Sequence, residues 1–137
     1  MPLTTFATLV NQKVFIPSPR TNYVAVDKNH LVDFMKPLLR SIFVDAEWYV
    51  SNYPDIAQAI AGGVVGTAAE HYATFGYYEH RMPYPIKVDE PWYLAQYSDV
   101  SEAVGKDLFP SAHEHYYLVG FKEGRLPHAN FTLKLLT

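Results

Sequence analysis

The sequence predicts a mainly α-helical fold, made of two tandem helix-loop-helix repeats, an additional helix and an N-terminal extended or β-hairpin arm. Residues 44–83 align with residues 88–127 without a gap, and 15 of these 40 positions are identical. Internal repetition at a fixed period indicates one supersecondary unit used more than once. Helix-capping residues recur at equivalent places in both copies, and 137 residues suit one compact domain.

The predicted N-terminal arm covers residues 1–26. β-branched and aromatic residues are frequent in 13–16 and 22–26, and the intervening 17–21 contains two prolines. This composition predicts a hairpin or an extended arm. An isolated hairpin is only marginally stable in water. We therefore expect the arm to lie on the helices, to join a partner's strands or to be loosely ordered.

The next predicted element is a helix within residues 27–43 that packs on the repeats. Asp27 is a suitable N-cap, and the helix is expected to run to about Ile42. Pro37 is expected to kink or split it. Apolar residues at three- and four-residue spacing form its predicted buried face: Leu31, Phe34, Met35, Leu38 and Ile42.

Each repeat is predicted to begin with an N-capped helix, in repeat 1 (residues 44–87) and in repeat 2 (residues 88–130). Asp45 is the expected cap in the first copy, and Pro54 is expected to divide the helix into two pieces. Ser98 stands at the equivalent place in the second copy, which predicts a softer break there. The apolar stripe of the first helix consists of Tyr49, Tyr53, Ile56 and Ile60.

The second helix of each repeat is predicted over residues 68–75 and 112–119. Thr67-Ala68-Ala69-Glu70 and Ser111-Ala112-His113-Glu114 both fit the capping-box pattern. Gly76 and Gly120 are predicted to end these helices in the left-handed conformation, and a proline follows each of them. The tail, residues 131–137, is predicted to pair as a strand with the arm or to dock on a neighbour.

Composition and charge exclude several classes of protein. There is no cysteine, so disulfides and thiolate metal sites are excluded. Residues 1–43 carry a net charge of +3 and residues 44–137 a net charge of −6. This distribution argues against nucleic acid as a partner, which would favour a clustered basic face. No transmembrane segment or signal peptide is recognisable, so we expect a soluble protein, cytoplasmic by default unless it is exported by another route.

The motif W-Y-x-x-x-Y-[PS]-D-[VI]-x-x-A, followed by H-Y and by G-x-x-E-x-R-x-P, resembles a short repeat of bacterial proteins. These include secreted calcium-repeat proteins, surface proteins and polypeptides linked to glycosyltransferases and polysaccharide export. The resemblance covers residues 44–83 and 88–127, and does not extend to residues 1–43. It implies a helical accessory module associated with envelope or carbohydrate biology, and it implies no catalytic residue.

Polar and aromatic residues of the repeats are the candidates for ligand contacts. The histidine spacing does not match a helical metal site, so no metal or cofactor is predicted. Each candidate also has a structural interpretation: tryptophans as core anchors, histidines bonded to a neighbouring turn, and arginines paired with Asp45, Asp55, Asp89 or Asp99. The predicted ligand contacts are Trp48, Tyr49, His71, Arg81, Trp92, Tyr93, His113, His115 and Arg125.

The sequence favours a non-catalytic function, because no nucleophile motif or phosphate-binding loop is present. We expect a protein-interaction or assembly module that self-associates, most simply as a homodimer. The first alternative is a carbohydrate-binding module with a cleft between the repeats, and the second is a small enzyme or enzyme subunit. Positions where the copies differ are the predicted places of function: 62–63 against 106–107, 69 against 113, and 78–80 against 122–124.

Overall fold

The computed structural model describes residues 4–137, so the first three residues of the predicted arm lie outside the described part. The chain divides into two compact units, Met1–Ser41 and Ile42–Thr137. Helices predominate in the described residues, and a single two-stranded antiparallel sheet lies near the N-terminus. The predicted fold class is confirmed.

The described part of the N-terminal unit begins with a helix, α1 (Phe6–Asn11), where an extended arm was expected. The Thr5 side chain caps α1 by accepting from the Thr8 amide, and Leu9 is buried. The predicted hairpin follows as β1 (Phe15–Pro17) and β2 (Val24–Val26), with Ile16 opposite Ala25. The extended prediction is therefore wrong for α1, because a side-chain cap and one buried leucine stabilise a short helix there.

Helix α2 (Lys28–Leu39) begins at the predicted cap, since the Asp27 carboxylate accepts from the amides of Asn29 and His30. The expected split at Pro37 is absent, and α2 continues for two residues beyond it before ending. A proline lacks the amide hydrogen for one intrahelical hydrogen bond, and only two residues of α2 follow Pro37. The predicted buried face is partly wrong, because Leu38 is 63% exposed and Leu39 is the buried residue.

The first helix of each repeat is broken in two at the same place. Repeat 1 has α3 (Ala46–Asn52) and α4 (Pro54–Ala61), and repeat 2 has α6 (Glu90–Gln96) and α7 (Ser98–Gly105). The N-caps Asp45 and Asp89 are as predicted.

The softer break expected in repeat 2 is wrong. Tyr97 has φ −119° and ψ 91°, close to the φ −126° and ψ 81° of Tyr53. Each of these tyrosines accepts a hydrogen bond on its hydroxyl from a backbone amide 29 residues further along the chain. This long-range contact recurs in both copies, whereas the proline occurs only in the first.

The second helices are α5 (Ala68–His71) and α8 (Ala112–His115), and each continues into a π-helical turn, Tyr72–Gly76 or Tyr116–Gly120. Thr67 and Ser111 cap them, as predicted.

The role predicted for Gly76 and Gly120 is wrong. Neither glycine has a positive φ. Left-handed backbone occurs instead at two other pairs of equivalent positions, which are Gly63 with Asp107 and His80 with Gly124. A Cβ on Gly76 would overlap the Tyr49 hydroxyl, and one on Gly120 would overlap the Tyr93 hydroxyl. These glycines are therefore required for close packing and not for turning.

The C-terminal tail pairs with the segment immediately before repeat 1. Ile42 and Leu135 form an isolated antiparallel bridge, and the Phe43 amide donates to the Lys134 carbonyl at 2.7 Å. The Lys134 amide in turn donates to the Tyr84 hydroxyl at 2.8 Å. The tail thus lies along residues of its own unit, and the strand pairing predicted with the arm is not formed among the described residues.

Candidate functional site

A tyrosine and a histidine are paired inside each repeat. The Tyr49 hydroxyl shares a 2.9 Å hydrogen bond with His71 Nδ1, and the Tyr93 hydroxyl shares a 3.0 Å bond with His115 Nδ1. Both tyrosines are fully buried and both histidines are buried. The expected bond from each histidine to a neighbouring turn is replaced by this bond to a helix of the same repeat.

Burial governs the protonation of these pairs. It lowers the pKa of His71 and of His115, and it raises the pKa of Tyr93 to about 12. The rings are therefore neutral at pH 7 and have almost no exposed surface. Four of the nine predicted ligand contacts are therefore core residues, namely Tyr49, His71, Tyr93 and His115.

The two predicted arginines hold the helix ends of their repeats together. Arg81 forms a bidentate pair with Asp55 at 3.1 and 2.7 Å, and its Nε donates to Glu79 at 2.7 Å. Its guanidinium also lies 4.8 Å from the Tyr53 ring centroid. Two of the four predicted carboxylate partners are therefore correct, Asp55 here and Asp99 in repeat 2.

Repeat 2 reproduces this arginine cluster. Arg125 contacts Asp99 at 2.9 and 2.6 Å, Glu123 at 2.7 Å, and the Tyr97 ring at 4.9 Å. Hydrogen bonds from Arg125 lower the pKa of Asp99 to about 2. Each guanidinium is thus matched by two carboxylates, so neither cluster carries unpaired positive charge.

The remaining predicted contacts are more accessible. Trp48 and Trp92 are half-buried, with their rings edge-on to Tyr53 and Tyr97 at 6.2 and 6.3 Å. His113 is half-buried and stacks on Tyr117 at 4.2 Å, a pair that repeat 1 lacks because alanine occupies both equivalent positions. Within residues 4–137, no three His, Asp or Glu side chains are grouped so that they could hold a metal ion.

A cleft of about 400 Å³ lies between the two repeats. Both repeats and the C-terminal segment line it, and most of its surface is apolar and aromatic. Arg81 and Arg125 are the predicted site residues that it brings together, one from each repeat. Trp48, Trp92 and the Tyr–His pairs are not among its lining residues.

Two residues of the cleft that the candidate set omitted have unusual hydroxyl groups. The hydroxyls of Tyr78 and Tyr116 are buried and have no hydrogen-bond partner among the described residues. Burial raises the pKa of both, so each remains a protonated donor. The signal for Tyr78 was present in the sequence, since positions 78–80 differ between the copies. Tyr116 gave no such signal, because Tyr72 matches it in repeat 1.

Comparison with known proteins found no similar protein. No protein-family model matches the chain, and no characterised protein or solved structure is significantly similar to it. The resemblance to the bacterial repeat therefore stays a prediction. None of the helices within residues 4–137 has both the length and the apolar character needed to cross a lipid bilayer.

Proposed function

We propose that the chain is a non-catalytic assembly module that forms a homodimer, in which the basic N-terminal unit of each copy contacts the acidic repeats of the other. The observation that carries this proposal is the hairpin. Both outer edges of its two strands lack a strand partner within the described residues, and three of its apolar side chains are exposed: Ile16 at 57%, Tyr23 at 81% and Val24 at 43%. Unpaired strand edges with apolar side chains favour association.

The distribution of charge supports a second copy as the partner. The balance is +3 over residues 1–43 and −6 over residues 44–137. In a two-fold dimer each basic unit meets one acidic unit, so the attraction occurs twice. Contact between two hairpins would instead bring like charges together.

The repeats also offer apolar surface to such a partner. Leu108 is 69% exposed and Leu118 is 60% exposed, whereas the polar groups shared by the copies are engaged within their own repeat. The polar side chains that the two copies share are therefore engaged in internal hydrogen bonds. The proposed role is one of contact with another protein surface.

Light scattering across a range of concentrations and salt tests this proposal. We expect a dimer at micromolar concentration in low salt and a monomer as the salt concentration rises, because salt screens exposed charges. Arg20→Glu, in the exposed hairpin turn, should weaken the dimer several-fold. Lys87→Glu, an exposed change of equal charge in the acidic repeats, should not weaken it, because it adds negative charge to the unit that the basic N-terminal unit contacts.

A monomer under all conditions would overturn the proposal. Equal weakening by Arg20→Glu and Lys87→Glu would also overturn it, since net charge alone would then be responsible. A dimer that strengthens with salt would indicate hairpin-to-hairpin contact and would contradict the basic-to-acidic arrangement.

A further inference from the structure

We propose that the hairpin turn of one copy docks on the loop after α7 of a second copy, where Arg20 pairs with Asp107 and Tyr23 packs on Leu108. The hairpin turn is residues 18–23, and the loop after α7, residues 106–110, is called the repeat 2 loop. This inference rests on the self-association proposed above and names the two surfaces that meet. Each surface has a charged group without a partner beside an exposed apolar side chain.

Asp107 is distinguished from most carboxylates of the repeats by its lack of a partner. Among the described residues from 42 to 137, the Asp and Glu side chains other than Asp107 and Glu47 already have a hydrogen bond, ion pair or other contact. The adjacent Lys106 does not neutralise Asp107, because its ammonium group pairs with Glu102. The repeat 2 loop therefore presents an uncompensated negative charge.

The backbone of Asp107 also favours an external role for its carboxylate. Its φ is 57°, in the left-handed region, and the equivalent residue of repeat 1 is Gly63 with φ 71°. Glycine adopts this conformation without steric cost, whereas aspartate is tolerated there when its side chain bonds to nearby backbone. No such bond from Asp107 occurs within residues 4–137. A strained residue without an internal contact indicates a contact with another molecule.

The hairpin turn provides the matching cation. Arg20 is exposed, and its guanidinium has no partner in the part of the chain that the structure describes. Lys36 and Arg40 of the same unit are engaged, and Lys13 and Lys28 flank the open end of the hairpin. Arg20 is thus the basic residue at the tip. A guanidinium pairs with a carboxylate in a bidentate geometry, and arginine is enriched at protein interfaces.

Exposed apolar side chains lie next to both charged groups. Tyr23 is 81% exposed in the hairpin turn, and Leu108 is 69% exposed directly after Asp107. The other carboxylate without a partner, Glu47, is followed by the half-buried Trp48 and so lacks this combination. In a two-fold dimer the contact forms twice, with both pairs of opposite charge.

Repeat 1 provides an internal comparison for the proposed contact. Val64 is equivalent to Leu108 and is also exposed, but Gly62 and Gly63 precede it where repeat 2 has Lys106 and Asp107. Repeat 1 therefore offers an apolar residue without the charge. Positions 62–63 and 106–107 are among those where the copies differ, and the proposed contact assigns a role to this difference.

Sedimentation equilibrium of the full chain in low salt measures the dissociation constant of the dimer and tests the charge pair. Asp107→Asn removes the charge and keeps a residue that tolerates left-handed backbone. It should weaken the dimer by about tenfold, because the ion pair is lost twice in a two-fold dimer. Glu47→Gln is the matched control, since it removes the same charge from the other carboxylate without a partner, and it should change the affinity by less than about twofold.

A second pair of variants tests the apolar contact. Leu108→Ser should weaken the dimer by at least about tenfold, because an exposed leucine becomes buried on association. Val64→Ser makes the equivalent change in repeat 1 and should have an effect below about twofold. Both variants should keep the melting temperature of the unaltered chain in high salt, where the protein is expected to be monomeric, because both side chains are exposed.

A double-mutant cycle tests whether Arg20 and Asp107 contact each other. Arg20→Gln and Asp107→Asn should each weaken the dimer, and the double variant should be weakened about as much as either one alone. This non-additivity is expected because both changes remove the same ion pair. Additive effects would place the two residues in separate contacts and would overturn the proposed pairing.

The outcomes separate this inference from the proposal on which it rests. A monomer under all conditions overturns the dimer and this contact with it. A dimer that Arg20→Glu weakens, but that Asp107→Asn and Leu108→Ser leave unchanged, supports the basic-to-acidic dimer and overturns only the docking on the repeat 2 loop. Equal weakening by Val64→Ser and Leu108→Ser, or by Glu47→Gln and Asp107→Asn, also overturns this docking.

Discussion

The two repeats share one frame of contacts, reproduced almost identically. The tyrosine–histidine bond measures 2.9 Å in repeat 1 and 3.0 Å in repeat 2. The Tyr53 hydroxyl accepts a hydrogen bond from the Met82 amide at 2.8 Å, and the Tyr97 hydroxyl accepts one from the Leu126 amide at 2.9 Å. The identical positions of the alignment include these tyrosines and histidines, the N-caps Asp45 and Asp89, and the arginines with their carboxylate partners. Identity between the copies therefore marks architecture.

The two repeats differ at residues outside these shared contacts. Repeat 2 has the stacked pair His113 and Tyr117 where repeat 1 has two alanines. Repeat 1 contributes Tyr78 to the cleft, and its equivalent Lys122 is exposed. The comparison teaches that the cleft is lined both by residues that differ between the copies, such as Tyr78, and by residues that they share, such as Tyr116, Arg81 and Arg125.

The largest expected effect comes from the glycines that contact the tyrosine hydroxyls. Gly76→Ala and Gly120→Ala should each lower the free energy of unfolding by about 3 kcal/mol, because the added methyl group overlaps a buried hydroxyl. Chemical denaturation measures this loss.

Gly105→Ala is the matched control for these two variants. No atom lies near its added methyl group, and Gly105 is the last residue of α7. Alanine there should stabilise the fold by up to about 1 kcal/mol. Comparable losses for Gly105→Ala and Gly120→Ala would contradict the packing role.

The next effect comes from the buried tyrosine–histidine pairs. Tyr49→Phe and Tyr93→Phe should each cost about 2 kcal/mol, because each leaves the Nδ1 atom of a buried histidine without its partner. The two losses should agree closely, since the two bonds are nearly equal in length. A large effect in one repeat alone would show that the shared frame is not equivalent in energy.

The arginine clusters should matter less. Arg81→Gln and Arg125→Gln should each cost about 1 kcal/mol, because the bidentate pairs are strong in geometry but their aspartates are 60% and 64% exposed. Thermal unfolding in low and high salt checks this. An effect that is unchanged by salt would show that packing on Tyr53 and Tyr97 outweighs charge.

The smallest effect is a graded dependence of stability on pH. The pKa of His71 and of His115 lies below the ordinary value of 6.5 in the folded state, since burial opposes their charged forms. The unfolded chain therefore binds more protons as the pH falls through 6.5. Stability should be full above this pH and should decrease below it until the lowered folded pKa is reached.

Single histidine variants test this pH dependence. In His71→Gln and in His115→Gln, the slope of unfolding free energy against pH just below 6.5 should decrease by similar amounts. Denaturant titrations at closely spaced pH values provide the slope. An unchanged slope in both variants would assign the acid sensitivity to other groups.

Local signals in the sequence were sufficient for much of the fold. The caps Asp27, Asp45, Thr67 and Ser111 were predicted because each acts on an amide two or three residues away. The hairpin followed from composition and turn residues, and the bounds of the repeats followed from their identity. Helix α1 was missed because its short sequence has no extended apolar period.

The sequence by itself determined the mainly helical fold, the duplication and the helix starts, because side chains act there on backbone within one turn. Only the tertiary structure decided the role of Gly76 and Gly120, the break before Ser98 and the lining of the cleft. These depend on contacts between residues 22 or more positions apart, such as Tyr49 with His71 and Tyr97 with Leu126. The lack of a partner for the Tyr116 hydroxyl is likewise a property of the packed molecule, because it depends on which groups surround the hydroxyl in space.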